Sequence, residues 1–129
     1  MTITYIESAD DLRADQLTGG FFEGWPKPPA PDEHLRILRG STHVILAVEA
    51  DAVVGFINAI TDGVISAFIP LLEVLPSHRG RGIGTELTLR MLERCSAYRI
   101  TDLVCDEHLV PFYERHGLVA ARAMIRRKR

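Results

Sequence analysis

Apolar and polar residues alternate through "ITYIES", Ile3 to Ser8, and its β-branched residues predict a short first strand ending near Ser8. Ser8 followed by Asp11 has the spacing of a capping box, and Gly19-Gly20 supplies a stop, so a helix is expected between them. "FFEGWPKPPAP", from Phe21 to Pro31, holds four prolines and reads as an extended, semi-rigid loop. "DEHLRILRG" then predicts a second short helix, with Leu35, Ile37 and Leu38 as its apolar positions and Gly40 as its end.

The middle of the chain reads as an antiparallel meander. "HVILAVEA" and "AVVGFINAI" are strands joined by a tight turn at Ala50-Asp51, and "TDG" at 61–63 leads into a fourth run, "VISAFIPLLEVL". Pro70 lies inside that run and cannot donate to a ladder, so a bulge or a loss of pairing is expected near Pro70 to Val74. Leu87, Met91, Leu92 and Cys95 mark one face of a helix over roughly Gly84 to Ala97. "RITDLVCD" is a fifth strand, and "LVPFYERHG" is a helix that takes Pro111 in its first turn and stops at Gly117. "LVAARAMIRRKR" offers closing strand material with a basic end.

Composition sets the scale. A chain of 129 residues, 47% hydrophobic and 25% charged, is one domain over 1–129 and can bury a core. A net charge of −2 argues against a surface made for nucleic acid, and no apolar run reaches the roughly 18 residues that a membrane span needs. Cys95 and Cys105 fit neither a disulfide framework nor a metal spacing, which points to packing thiols in a reducing compartment. The five histidines are scattered without ligand spacing, so no metal is expected. The N-terminus lacks a basic, apolar leader, and the expectation is a cytoplasmic domain without membrane contact.

The junction "LEVLPSHRGRGIGTEL", Leu72 to Leu87, carries the chemistry. Glycines before a helix leave several N–H groups unpaired at the positive end of the macrodipole, a site for an anion such as phosphate. Gly82 and Gly84 have no third glycine at Leu87, as a dinucleotide fingerprint requires, and no Lys-Ser/Thr pair makes a P-loop.

"RGRGIG", Arg79 to Gly84, resembles the Arg/Gln-x-x-Gly-x-Gly/Ala signature of the GNAT superfamily of N-acetyltransferases, and "PFYERHGL", Pro111 to Leu118, resembles its second, an aromatic-Tyr-x-x-x-Gly run. The resemblance covers the whole chain in element order. It implies an α/β (α+β) fold with a mixed, mostly antiparallel sheet of six to seven strands, about four flanking helices, and fourth and fifth strands that splay apart. It also implies acetyl-CoA as cofactor. The pantetheine arm would pair with backbone groups of Leu72, Glu73 and Val74, one N–H there would point at the thioester carbonyl, and Arg79, Gly80, Arg81, Gly82, Ile83, Gly84 and Thr85 would cradle the phosphates. Phe112 falls at a further cofactor-contacting position, and Asp106 stands where some relatives hold an asparagine that contacts the cofactor, which leaves its role here open.

By the same match Tyr113 takes the place of the general acid, and a phenol is a suitable proton donor to a departing thiolate. Many relatives carry a glutamate on the fourth strand several residues before the glycine loop, where "SAFIPL" offers Ser66 and no acid; Glu73 is the nearest carboxylate on that strand, and alternation directs it away from the face of Leu72 and Val74. Phe21, Phe22, Glu23 and Trp25 fall in the region that sets acceptor choice, and aromatics beside a carboxylate suit a cationic amine with an apolar body. The same aromatics could equally pin the proline-rich loop to the domain.

The expected activity is therefore acetyl transfer to the primary amine of a small molecule, directly within a ternary complex. The alternatives are a catalytically weak acyl-CoA sensor or scaffold, and acetylation of a protein or aminoacyl-tRNA amine. A homodimer stays among the expected assemblies. The basic end, "RRKR", reads as a solvated tail that leaves room for an acidic or RNA partner.

Overall fold

A computed structural model describes residues 2–128. Six strands and three α-helices follow in the order β1 (Thr4–Ile6), α1 (Pro31–Gly40), β2 (His43–Glu49), β3 (Ala52–Thr61), β4 (Ser66–Ile69), β5 (Leu72–Val74), α2 (Ile83–Arg94), β6 (Ile100–Leu103) and α3 (Val110–Glu114), with single 3₁₀ turns at Ala14–Leu17, Pro76–His78 and Glu107–Leu109. The sheet runs β1-β2-β3-β4-β6, and β5 pairs with β3 beside that path. All pairs are antiparallel except β4 with β6.

Two apolar layers sandwich this sheet. On one face Ile45, Ala47, Ile57, Ala59, Ala67 and Ile69 pack with Ile83, Leu87 and Met91 of α2. Helix α2 lies close because Gly55 has no side chain: a Cβ there would stand 3.1 Å from Ile83 Cγ2 and 3.2 Å from Leu87 Cδ1. On the other face Leu46, Val53 and Phe56 pack with Leu38 of α1 and with Leu12, Leu17 and Phe22 from the irregular N-terminal segment.

The meander has the turn that its length demands. Ala50 and Asp51 both take positive φ, 49° and 64°, which is the left-handed geometry that a two-residue hairpin of this twist needs. At 62–66 the Asp62 Oδ1 accepts the N–H groups of Val64, Ile65 and Ser66 and closes the next turn.

The chain departs from expectation in two places. No α-helix joins Ser8 to Gly19: the Ser8 hydroxyl accepts the Asp10 N–H locally, the Leu12 N–H closes a turn on the Ala9 carbonyl, and a single 3₁₀ turn follows at Ala14–Leu17. Arg39 of α1 donates to the carbonyls of Ala9 and Leu12, so backbone that a helix would have paired is satisfied from outside. The segment 118–128 forms no strand, and Val119 and Met124 are almost fully exposed. Its apolar positions are separated by alanines and arginines, and residues 119–128 are exposed. Arg129, the last residue of the basic end, lies outside the described residues. The six strands thus arise by division of the expected fourth strand at Pro70, not from strands after the fifth.

Candidate active site

The division at Pro70 opens the site. β4 continues alongside β6, whereas β5 stays on β3 alone, in the register Leu72↔Ile57, Glu73↔Phe56, Val74↔Gly55. Asn58, buried in β3, fills the break: its Oδ1 accepts the Leu71 N–H at 3.0 Å, its own N–H reaches the Leu71 carbonyl at 3.2 Å, and its Nδ2 donates to Ser41 Oγ at 3.0 Å. The Leu75 N–H likewise turns to β3, to the Val54 carbonyl. Alternation along an antiparallel ladder then directs the N–H and C=O groups of Leu72 and Val74 away from β3, to the side where β6 has diverged. Asn58 was not singled out in the sequence, because one polar residue in a strand ordinarily marks its wetter face.

The side chains of β5 divide as alternation requires. Leu72 and Val74 pack on the α2 layer, and Glu73 projects from the opposite face. Its Oε1 accepts the Phe22 N–H at 2.8 Å. Partial burial raises the Glu73 pKa, against the lowering effect of that N–H and of Arg79.

Beyond β5 the chain turns through Gly80 and Gly82, both left-handed at φ 76° and 80°, and Gly82 is the residue that opens α2. Among the described residues, none beyond the chain neighbours comes within 4 Å of where a Cβ would stand on either glycine, so both positions face open space beside the helix N-terminus. Ile83 is buried beneath it and Gly84 lies against Val74. Thr85 is partly exposed in the first turn of α2. Arg79 Nε donates to the outward-facing Val74 carbonyl at 3.3 Å. Arg81 donates to Glu49 Oε2 at 3.2 Å, and His78 Nε2 meets Glu49 Oε1 at 3.0 Å while its Nδ1 meets Ser77 Oγ. Glu49 is thus the anchor of the turn, with its pKa lowered first by the His78 hydrogen bond and then by Arg81.

A strand edge without a partner strand, followed by a glycine turn with two arginines and an open helix N-terminus, fits the amide arm and pyrophosphate of coenzyme A. Asp106 is exposed at the start of the 3₁₀ turn after β6 and makes no capping bond with its side chain. Phe112 and Tyr113 sit on α3 with ring centroids 5.0 Å apart and nearly perpendicular. Leu118 N–H bonds to the Tyr113 carbonyl and Gly117 N–H to that of Glu114, with Gly117 at φ 89°, so the glycine closes the turn after α3 as a Schellman motif. Tyr113 has its pKa raised by burial and then by the neighbouring Cys105.

The segment 21–25 does not form the free aromatic wall expected of it. Phe22 is 3% exposed and belongs to the core, and Phe21 is packed edge-on against His34 and Phe56, so neither stands free as a substrate-facing surface. Trp25, 47% exposed, and Glu23, also exposed, are what the loop presents to solvent.

The comparisons with known proteins agree with this geometry. The chain matches, at 44% identity and a TM-score of 0.93, the crystal structure of an acetyltransferase candidate from Deinococcus radiodurans R1, over 98% of this chain and 88% of that one. A GNAT family acetyltransferase from Streptococcus pneumoniae TIGR4 is similar at 28% identity and a TM-score of 0.79, over 99% of both chains. Glucosamine-6-phosphate N-acetyltransferase from Arabidopsis thaliana, at 14% identity, 99% coverage of both chains and a TM-score of 0.72, shares the fold. No curated protein matches the chain. The family model for GNAT acetyltransferases spans residues 7–118, and the chain belongs to that family.

Proposed function

We propose that this chain transfers an acetyl group from acetyl-CoA to the primary amine of a small molecule, directly and within a ternary complex. The observation that carries the reading is the outward-facing backbone of Leu72 and Val74 on an edge that leads straight into the glycine turn and the start of α2. Bound acetyl-CoA supplies an activated thioester carbonyl.

The chain's own groups divide the remaining work. An N–H of the Leu72–Val74 edge donates to the carbonyl oxygen as it gains charge, a fixed donor of the kind whose loss costs about 10² in rate or more. Tyr113 holds its proton at neutral pH and gives it to the sulfur that leaves. Glu73 takes the proton of the incoming ammonium at Oε2, which has no hydrogen-bond partner among the described residues. Its raised pKa makes it a better base than a fully solvated carboxylate. Arg79 and Arg81 place charge beside the phosphates; Arg81 exchanges Glu49 for phosphate or shares itself between them. Trp25 and Glu23 face a cationic, partly apolar amine.

The test is release of free thiol from acetyl-CoA across a panel of primary amines, in wild type and Tyr113→Phe. Amine-dependent release that falls by about 10²-fold in Tyr113→Phe supports the reading, in the range expected for a lost general acid. Equal release in both proteins with an active amine removes Tyr113 from the chemistry.

A further inference from the structure

We propose that Glu73 is also a positioning residue: its carboxylate latches the 19–25 loop onto β5 and thereby sets where Trp25 stands. The loop's role toward the acceptor rests on the function proposed above; the latch itself rests on the geometry alone.

The loop has an uncommon backbone. Gly20, Phe22 and Gly24 all have positive φ, at 105°, 64° and 84°. For the glycines this is unstrained, but a bulky residue such as Phe22 adopts the left-handed region only where its surroundings hold it there. Two contacts with β5 and its continuation do so. The Phe22 N–H donates to Glu73 Oε1 at 2.8 Å across 51 positions of sequence. Gly19 packs so tightly on Leu75 that an added Cβ would stand 2.6 Å from Leu75 Cδ1. With the backbone fixed, the Phe22 ring seats against His34 and Phe56, at centroid distances of 4.8 and 6.1 Å. The Phe22 carbonyl then accepts the Trp25 N–H at 3.1 Å, and the Trp25 ring stands edge-on to Phe22 at 5.0 Å. Position passes in sequence from Glu73 through Phe22 to Trp25. The residue on the cofactor strand is the one that orders the acceptor loop, so the two halves of the site share one carboxylate.

The chain has a single tryptophan, and it lies on this loop, so its emission reports the latch without any substrate. Three variants separate the roles. Glu73→Gln keeps an oxygen at the same reach and loses the charge; Glu73→Asp keeps the charge and falls one methylene short of the Phe22 N–H; Glu73→Ala keeps neither. The expected pattern is wild-type Trp25 emission and a protected Phe22 amide in Glu73→Gln. In both Glu73→Asp and Glu73→Ala a shifted emission is expected, with Phe22 amide exchange faster by about tenfold or more, the loss of one charge-assisted hydrogen bond. With an active amine, Glu73→Gln lowers kcat with little change in acceptor KM, and Glu73→Asp raises acceptor KM about tenfold.

If Glu73→Ala fails to fold, Glu73→Asp with far-UV dichroism as a fold control decides the matter. Wild-type emission and Phe22 exchange in a folded Glu73→Asp or Glu73→Ala would overturn the latch. Wild-type kcat in Glu73→Gln with the emission pattern intact would leave the latch standing and strike at Glu73 as the base instead.

Discussion

Asn58 and Leu71 are bonded to each other twice, through the Asn58 side-chain oxygen at 3.0 Å and the Asn58 N–H at 3.2 Å, at the point where β4 ends and β5 begins. Pro70 offers no N–H at this point, and the amide side chain takes up the donor that the displaced strand leaves behind. The wedge in the sheet is therefore built in by a buried polar contact and does not await a ligand. Asn58→Leu, similar in volume, removes the acceptor and leaves the Leu71 N–H unpaired. It should cost about 1–3 kcal/mol, the usual penalty for a buried polar group without a partner, and a urea transition at pH 7 measures it. A variant as stable as wild type would show that the break is held by Pro70 alone.

His34 gives the protein a defined acid sensitivity. It is buried among Phe21, Phe22 and Phe56, its Nε2 has no hydrogen-bond partner among the described residues, and burial lowers its pKa to about 4. The unfolded chain takes up a proton near pH 6.5 and the folded chain does not until about pH 4, so His34 contributes fully above 6.5 and its contribution is lost as pH falls through that window. At about 1.4 kcal/mol per pH unit the loss approaches about 3 kcal/mol. His34→Leu should match or exceed wild-type stability at pH 7 and lose less of it between pH 6.5 and 4. Parallel pH profiles of the thermal midpoint in the two proteins would contradict this.

Glu73 should appear in the pH dependence of the rate. A base must be ionised, and burial raises its pKa from the ordinary carboxylate value. kcat/KM should therefore rise with pH along a limb displaced upward from that value, and the limb should vanish from whatever activity Glu73→Gln retains. The stability effect has the opposite sense: the folded state binds the Glu73 proton more tightly than the unfolded one, so ionisation lowers stability as pH rises through the interval between the two pKa values. Glu73→Gln, which keeps the Phe22 hydrogen bond, should gain on wild type over that interval when the two are compared by thermal unfolding.

Much of this architecture is legible in the residues themselves. Asp51 tolerates positive φ and serves the hairpin; Pro70 announces the strand break; glycines around Arg81 announce an open helix N-terminus; Gly117 ends α3. What the residues do not reveal depends on partners far along the chain. The expected helix after Ser8 is absent because Arg39, about 30 positions away, satisfies the carbonyls of Ala9 and Leu12. Phe22 looks like a free aromatic until its N–H is seen on Glu73 and its ring among His34 and Phe56. Glu49 ends a strand without any local sign that it holds both His78 and Arg81. The expected strand after Leu118 does not form although β6 ends the sheet with an open edge, and its residues stay exposed.

The most direct test of the account is calorimetric titration with acetyl-CoA and with desulfo-CoA, on wild type and on a protein carrying both Arg81→Glu and Gly82→Asp. Saturable binding of both ligands to wild type, lost in the double variant while its fold is retained, is the predicted result, because the changes place two carboxylates where the pyrophosphate belongs. Absence of binding to wild type, or equal binding to the double variant, would contradict the assignment of the β5 edge and the glycine turn as the coenzyme A site.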